Sequence, residues 1–131
     1  MKLFFILFSF TSLFVTVGAN ADQEITIVNH EFEGTKQWVP GTIVAYKGEK
    51  VTITLINNVP SGVHGFFIPD FNQRVDVKKG EKKTITFVAD KAGIFPMKCH
   101  LHPAHVGGQF LVLDRPQVPT SEKKIEATTK K

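Results

Sequence analysis

Cysteine is almost absent: Cys99 is the only one in 131 residues. No disulfide closes within the chain, and neither a Cys-x-x-Cys redox motif nor a haem-attachment motif exists. An excess of one charge is also missing where it would count. The sequence holds 16 Lys and Arg against 12 Asp and Glu, a formal +4. Yet residues 22–114 carry ten basic and ten acidic side chains, so the excess belongs to Lys2 and to residues 115–131. A neutral body gives no support to the positive face that nucleic-acid binding requires, and no nucleic-acid partner is expected. Hydrolase signatures are lacking as well: there is no Gly-x-Ser-x-Gly elbow, phosphate loop or His-Glu-x-x-His helix. Nor does any window sustain the stripe of an amphipathic helix.

The beginning of the chain has its own pattern. Met1 and Lys2 precede an uncharged, mostly apolar run over residues 3–17, followed by Gly-Ala-Asn-Ala and Asp22. A basic start, an apolar middle and an Ala-x-Ala site predict a signal peptide over 1–21, cut before Asp22. The stretch from Leu3 to Ala21 is just long enough to span a membrane, but the small residues ahead of Asp22 favour cleavage over a retained anchor. The expectation is an exported, periplasmic protein with no stable membrane insertion after cleavage. A lone cysteine in an oxidising compartment then needs a reason to stay reduced. At the other end, residues 115–131 are polar, rich in Pro and Lys, and read as a flexible basic tail.

Between them, residues 22–114 form one domain of short alternating segments cut by turn residues. Apolar and polar residues alternate over 24–28, 42–46, 51–56, 63–68, 74–77, 84–88, 93–99 and 109–113. Period-two alternation, β-branched enrichment and turns such as Lys47-Gly48 and Lys79-Gly80 predict strands. About eight strands in this length predict an all-β Greek-key sandwich of two antiparallel sheets.

Chemistry concentrates around the cysteine, where the chain reads Cys99-His-Leu-His-Pro-Ala-His105. Thiolate together with imidazole selects copper or zinc over hard cations. Strand alternation places Phe95, Met97 and Cys99 on one face and Ile94, Pro96 and Lys98 on the other, and the lysine marks its face as outward. Cys99 therefore points inward and His100 away. His102 and His105 fall in a loop held by Pro103 and ended by Gly107-Gly108, so both turn back toward the thiol. A distant donor is expected to complete the set. His64 is the candidate, starting a strand with Gly62 and Gly65 at its sides, where another segment can approach.

Four motifs resemble a cupredoxin: Pro-Gly-Thr-Ile-Val-Ala-Tyr-Lys-Gly-Glu ending at Glu49, Val63-His-Gly-Phe-Phe67, Ala-Gly-Ile-Phe-Pro-Met-Lys-Cys99, and Cys-x2-His-Pro ending at Pro103. The chain is most similar to the exported group related to the copper domains of cytochrome c oxidase subunit II, nitrous-oxide reductase and nitrosocyanin. The resemblance spans residues 23–114. It implies one copper ion with His64, Cys99 and His102 as equatorial ligands. It also implies a one-electron carrier cycling Cu(I)/Cu(II), with a redox protein or a copper donor or acceptor as partner. Two departures stand out. Blue copper proteins place a methionine where this loop has His105, and the paired cysteines of a binuclear centre are missing. Imidazole is a stronger donor than thioether, so a bound His105 predicts a red or green tetragonal centre of lower potential rather than an intense blue one.

Other readings compete. His30 reads as a surface residue. His100 stands as the substitute should His102 or His105 fail. Cys99 alone is compatible with an inert buried thiol, or with a nucleophile paired to His102. One cysteine and three histidines also suit tetrahedral zinc. At the level of function, an envelope copper-delivery protein and a nitrosocyanin-like red copper redox enzyme are the alternatives to the carrier.

Overall fold

The computed structural model describes residues 22–60 and 62–116. The expected signal peptide and the tail beyond Pro116 lie outside the described residues. Nine strands follow in order: β1 Gln23–Phe32, β2 Thr35–Val39, β3 Thr42–Tyr46, β4 Lys50–Asn57, β5 Val63–Ile68, β6 Gln73–Lys78, β7 Lys82–Val88, β8 Gly93–Met97 and β9 Gly108–Leu113. A 3₁₀ turn, Pro69–Phe71, separates β5 from β6.

One sheet runs β2-β1-β4-β7. The facing layer consists of β3-β9-β8 and the β5-β6 pair, stitched together where Phe67 and Lys98 exchange backbone hydrogen bonds of 2.9 and 3.0 Å. The all-β sandwich is as expected, with two differences. The pairs β1–β4 and β3–β9 are parallel rather than antiparallel. The ninth strand is β2, whose sequence Thr-Lys-Gln-Trp-Val has one buried residue, Trp38. With so little apolar alternation it carries no sequence signal. It forms because Glu33 and Gly34, both at positive φ, turn the chain back along β1 in a tight hairpin.

Elsewhere the alternation is literal. In β4 every second residue, Val51, Ile53, Leu55 and Asn57, is buried. Ile27, Ile43, Phe66, Ile68, Val77 and Phe110 close over them from the neighbouring strands. Each such side chain contributes about 1.5–3 kcal/mol by leaving water, which fixes the register on both layers. Asn57 is the buried polar exception. Its amide donates to the Val77 carbonyl at 2.9 Å and its oxygen accepts from the Val59 amide at 3.1 Å. That pair of bonds ties the end of β4 to β6 and sets the chain on its course into β5, where His64 begins the site.

Candidate metal centre

Cys99 lies two residues beyond β8 and keeps that strand's alternation: Met97 and Cys99 are buried, while Ile94, Pro96 and Lys98 are exposed. The thiol thus faces the interior at one end of the sandwich, as alternation predicts. His64, the second residue of β5, is buried and pairs across the ladder with Val77. The loop after Cys99 folds back on itself. The His105 amide donates to the His102 carbonyl, and the Val106 amide donates to the Lys36 carbonyl, both at 3.1 Å. Its exit is tight, because a Cβ on Gly108 would collide with the Gly41 carbonyl.

These constraints bring four donors together. One atom each from His64, Cys99, His102 and His105 lies within 4.8 Å of the other three. The Cys99 sulfur is 3.4 Å from His102 Nδ1. Ring centroids are 5.0 Å apart for His64 with either loop histidine, and 4.6 Å for the stacked pair His102 and His105. Around an ion bonded at roughly 2.0–2.3 Å, tetrahedral donors sit roughly 3.3–3.8 Å from one another, so a small contraction of this cluster closes on a metal. His64 and Cys99 are buried, His105 half-buried and His102 exposed, so the cluster opens to solvent along one imidazole edge.

Electrostatics keep His105 ready to coordinate. Burial pushes its pKa below the ordinary histidine value, neighbouring His102, His64 and Lys36 push the same way, and Glu31 opposes them. A neutral imidazole has a lone pair to offer, whereas a protonated one has none. Met97 is buried in the core cluster, in keeping with its reading as a core residue.

Two features escape the sequence reading. The Gly65 amide donates to the Cys99 sulfur at 3.3 Å, while the Gly65 carbonyl accepts from Trp38 Nε1 at 2.9 Å. Glycine inside a strand does signal a close approach, but the partner is not the one expected. The group lying on Gly65 is the His100 ring. His100 is not among the four clustered donors. It is not solvent-facing, however: its side chain is 5% exposed and bonded through Nε2 to Asp76 Oδ1 at 2.7 Å. His30 is exposed on β1.

The sequence model of the Cupredoxin-like domain matches residues 2–112. The chain belongs to this family. Over 55 residues, 40% of its length, this cupredoxin is 42% identical to nitrous-oxide reductase of Cupriavidus necator, and the stretch amounts to 9% of that enzyme. Its fold superposes with a TM-score of 0.56 on a copper-binding protein solved in the apo form, at 25% identity, covering 73% of this chain and 92% of that one. Auracyanin from Roseiflexus castenholzii superposes at 0.59 with 19% identity, covering 71% and 98%. Family membership and the soft, nitrogen-and-sulfur donor set together support copper binding and electron transfer in general terms. Among the described residues, no helix is long and apolar enough to cross a membrane.

Proposed function

We propose that this cupredoxin is an exported one-electron carrier. It would hold one copper ion through His64, Cys99 and His102, with His105 as the fourth ligand. The observation that carries this reading is the convergence of one thiol and three imidazoles, from segments 35 residues apart, within 4.8 Å. Bound copper supplies a Cu(I)/Cu(II) couple of one electron.

The rest is done by the chain. Two ligands are buried and a third is packed between loop and strand, so the donors are arranged before metal arrives. A site that needs little rearrangement suits both oxidation states. His102 at the surface offers the shortest route from the site to a partner protein, so the redox partner is expected to dock over that edge. Export rests on the signal-like leader of residues 1–21.

A cavity of about 260 Å³ beside the cluster, lined by Phe67, Lys98, Cys99, His100, Pro103 and His105, favours a second reading, a small copper enzyme acting on a small molecule. Voltammetry of the copper-loaded protein with and without azide separates the two. The carrier reading predicts a reversible wave, rapid self-exchange and a spectrum indifferent to azide. An azide-shifted spectrum supports the enzyme. Transfer of Cu(I) to an apo acceptor with no stable Cu(II) form would replace both with copper delivery.

A further inference from the structure

His100 is a buried imidazole that the copper reading leaves without a task. Its neighbours define one. Nε2 is 2.7 Å from Asp76 Oδ1, and Phe67 meets the ring edge-on with centroids 5.9 Å apart. The ring lies flat on Gly65, so near that a Cβ there would come within 2.5 Å of Cε1 and Nδ1. Gly65 is the residue whose amide bonds the Cys99 sulfur, and whose carbonyl Trp38 holds from the other side.

Strand pairing explains why Gly65 needs a clamp. Its neighbour two residues on, Phe67, turns its amide and carbonyl to Lys98 in a two-bond bridge. At Gly65, which still pairs with Asp76 across the β5–β6 ladder, the bridge to the Lys98 side has run out, and a sulfur atom replaces the carbonyl acceptor. Sulfur accepts weakly, and glycine is the residue freest to drift. A ring pressed on its Cα and anchored to β6 removes that freedom.

We propose that His100, tied to Asp76, is a positioning residue that clamps Gly65 and thereby fixes the amide hydrogen bond to the Cys99 sulfur. A donor aimed at a thiolate withdraws electron density from it. Losing the donor raises the sulfur orbitals, moves the sulfur-to-copper charge-transfer band to lower energy and lowers the potential. The clamp itself is a property of the polypeptide; its spectroscopic consequence rests on the copper reading.

The test compares the full chain with His100→Ala, Asp76→Ala and Asp76→Asn. Asp76 is more than half exposed, so its variants keep the fold. In the metal-free protein, the proposal predicts that Gly65 amide exchange accelerates about tenfold in His100→Ala and Asp76→Ala, the loss of roughly one hydrogen bond, while Ile53 in β4 keeps its rate. Asp76→Asn retains an acceptor for Nε2–H and keeps the wild-type rate. With copper, the charge-transfer band of Asp76→Ala moves to lower energy and its potential falls, and Asp76→Asn restores both. Equal acceleration at Gly65 and Ile53 would reduce His100 to general packing and overturn the proposal, as would unchanged Gly65 exchange in Asp76→Ala. A wild-type chain that binds no copper would contradict the copper reading, and the metal-free exchange would still decide the clamp.

Discussion

His105 is the residue on which the character of the centre turns. It stands where blue copper proteins keep a weak thioether, and its imidazole lies within reach of the other three donors. If it binds, His105→Ala should convert a tetragonal Cu(II) spectrum toward an intense blue one and raise the potential; unchanged absorption and potential would remove His105 from the ligand set. Acid should also weaken the metal-free fold through this group. Its folded pKa is lowered, so the unfolded chain takes up the proton first. The stability contribution is therefore complete above the ordinary histidine value and is lost as pH falls through the lowered folded one. Urea midpoints at about pH 7.5 and about pH 5 should drop less in His105→Gln than in the wild type. An equal drop would place the acid sensitivity elsewhere. Gly65 gives a third expectation at this scale. Alanine there drives a Cβ into the His100 ring and should cost about 1–3 kcal/mol of stability, measured by the same denaturation.

At the scale of elements, β9 shows how the site depends on the core behind it. Phe110 is fully buried, lies beside Ile43 across the parallel β3–β9 pair, and meets Phe71 and Phe87 edge-on with centroids 5.2 and 5.6 Å away. Phe110→Ala should destabilise the fold by about 3–5 kcal/mol, with a parallel loss of metal retention, since β9 receives the chain from the ligand loop. A loss under about 1 kcal/mol would mean that the site end is independent of this cluster. Most strands were legible because one face of each is buried, as in Val51, Ile53 and Leu55 of β4. Cys99 and Met97 could be placed by the same alternation. What escaped depends on partners that a period cannot name. β2 exists through its hairpin turn rather than its own pattern, and the direction of β1 relative to β4 is a property of topology. His100 reads as outward because alternation reports a face, not whether a neighbouring strand pair covers that face.

Over the whole molecule, charge and function separate. The body between Asp22 and Asp114 is neutral and the excess of positive charge lies beyond it. Among the described residues, Arg115 crosses that boundary: it donates to Glu49 at 3.2 Å and lies over the Tyr46 ring, so the first tail residue is anchored to the body. Deleting residues 117–131 should leave metal binding intact and, if the tail steers docking, should flatten the salt dependence of electron transfer to a partner. Removing Arg115 as well should cost no more than about 1 kcal/mol, because this pair is partly solvated. Loss of metal binding in the shorter deletion would contradict a site built entirely from residues 64–105.

The central claim, a single copper ion held by one thiolate and three imidazoles, is met most directly by metal analysis with electron paramagnetic resonance on the oxidised full-length protein after export to a periplasm. The account predicts one copper per chain and a Cu(II) signal with the wide hyperfine splitting of a tetragonal site. Stoichiometric zinc with no resonance would contradict it.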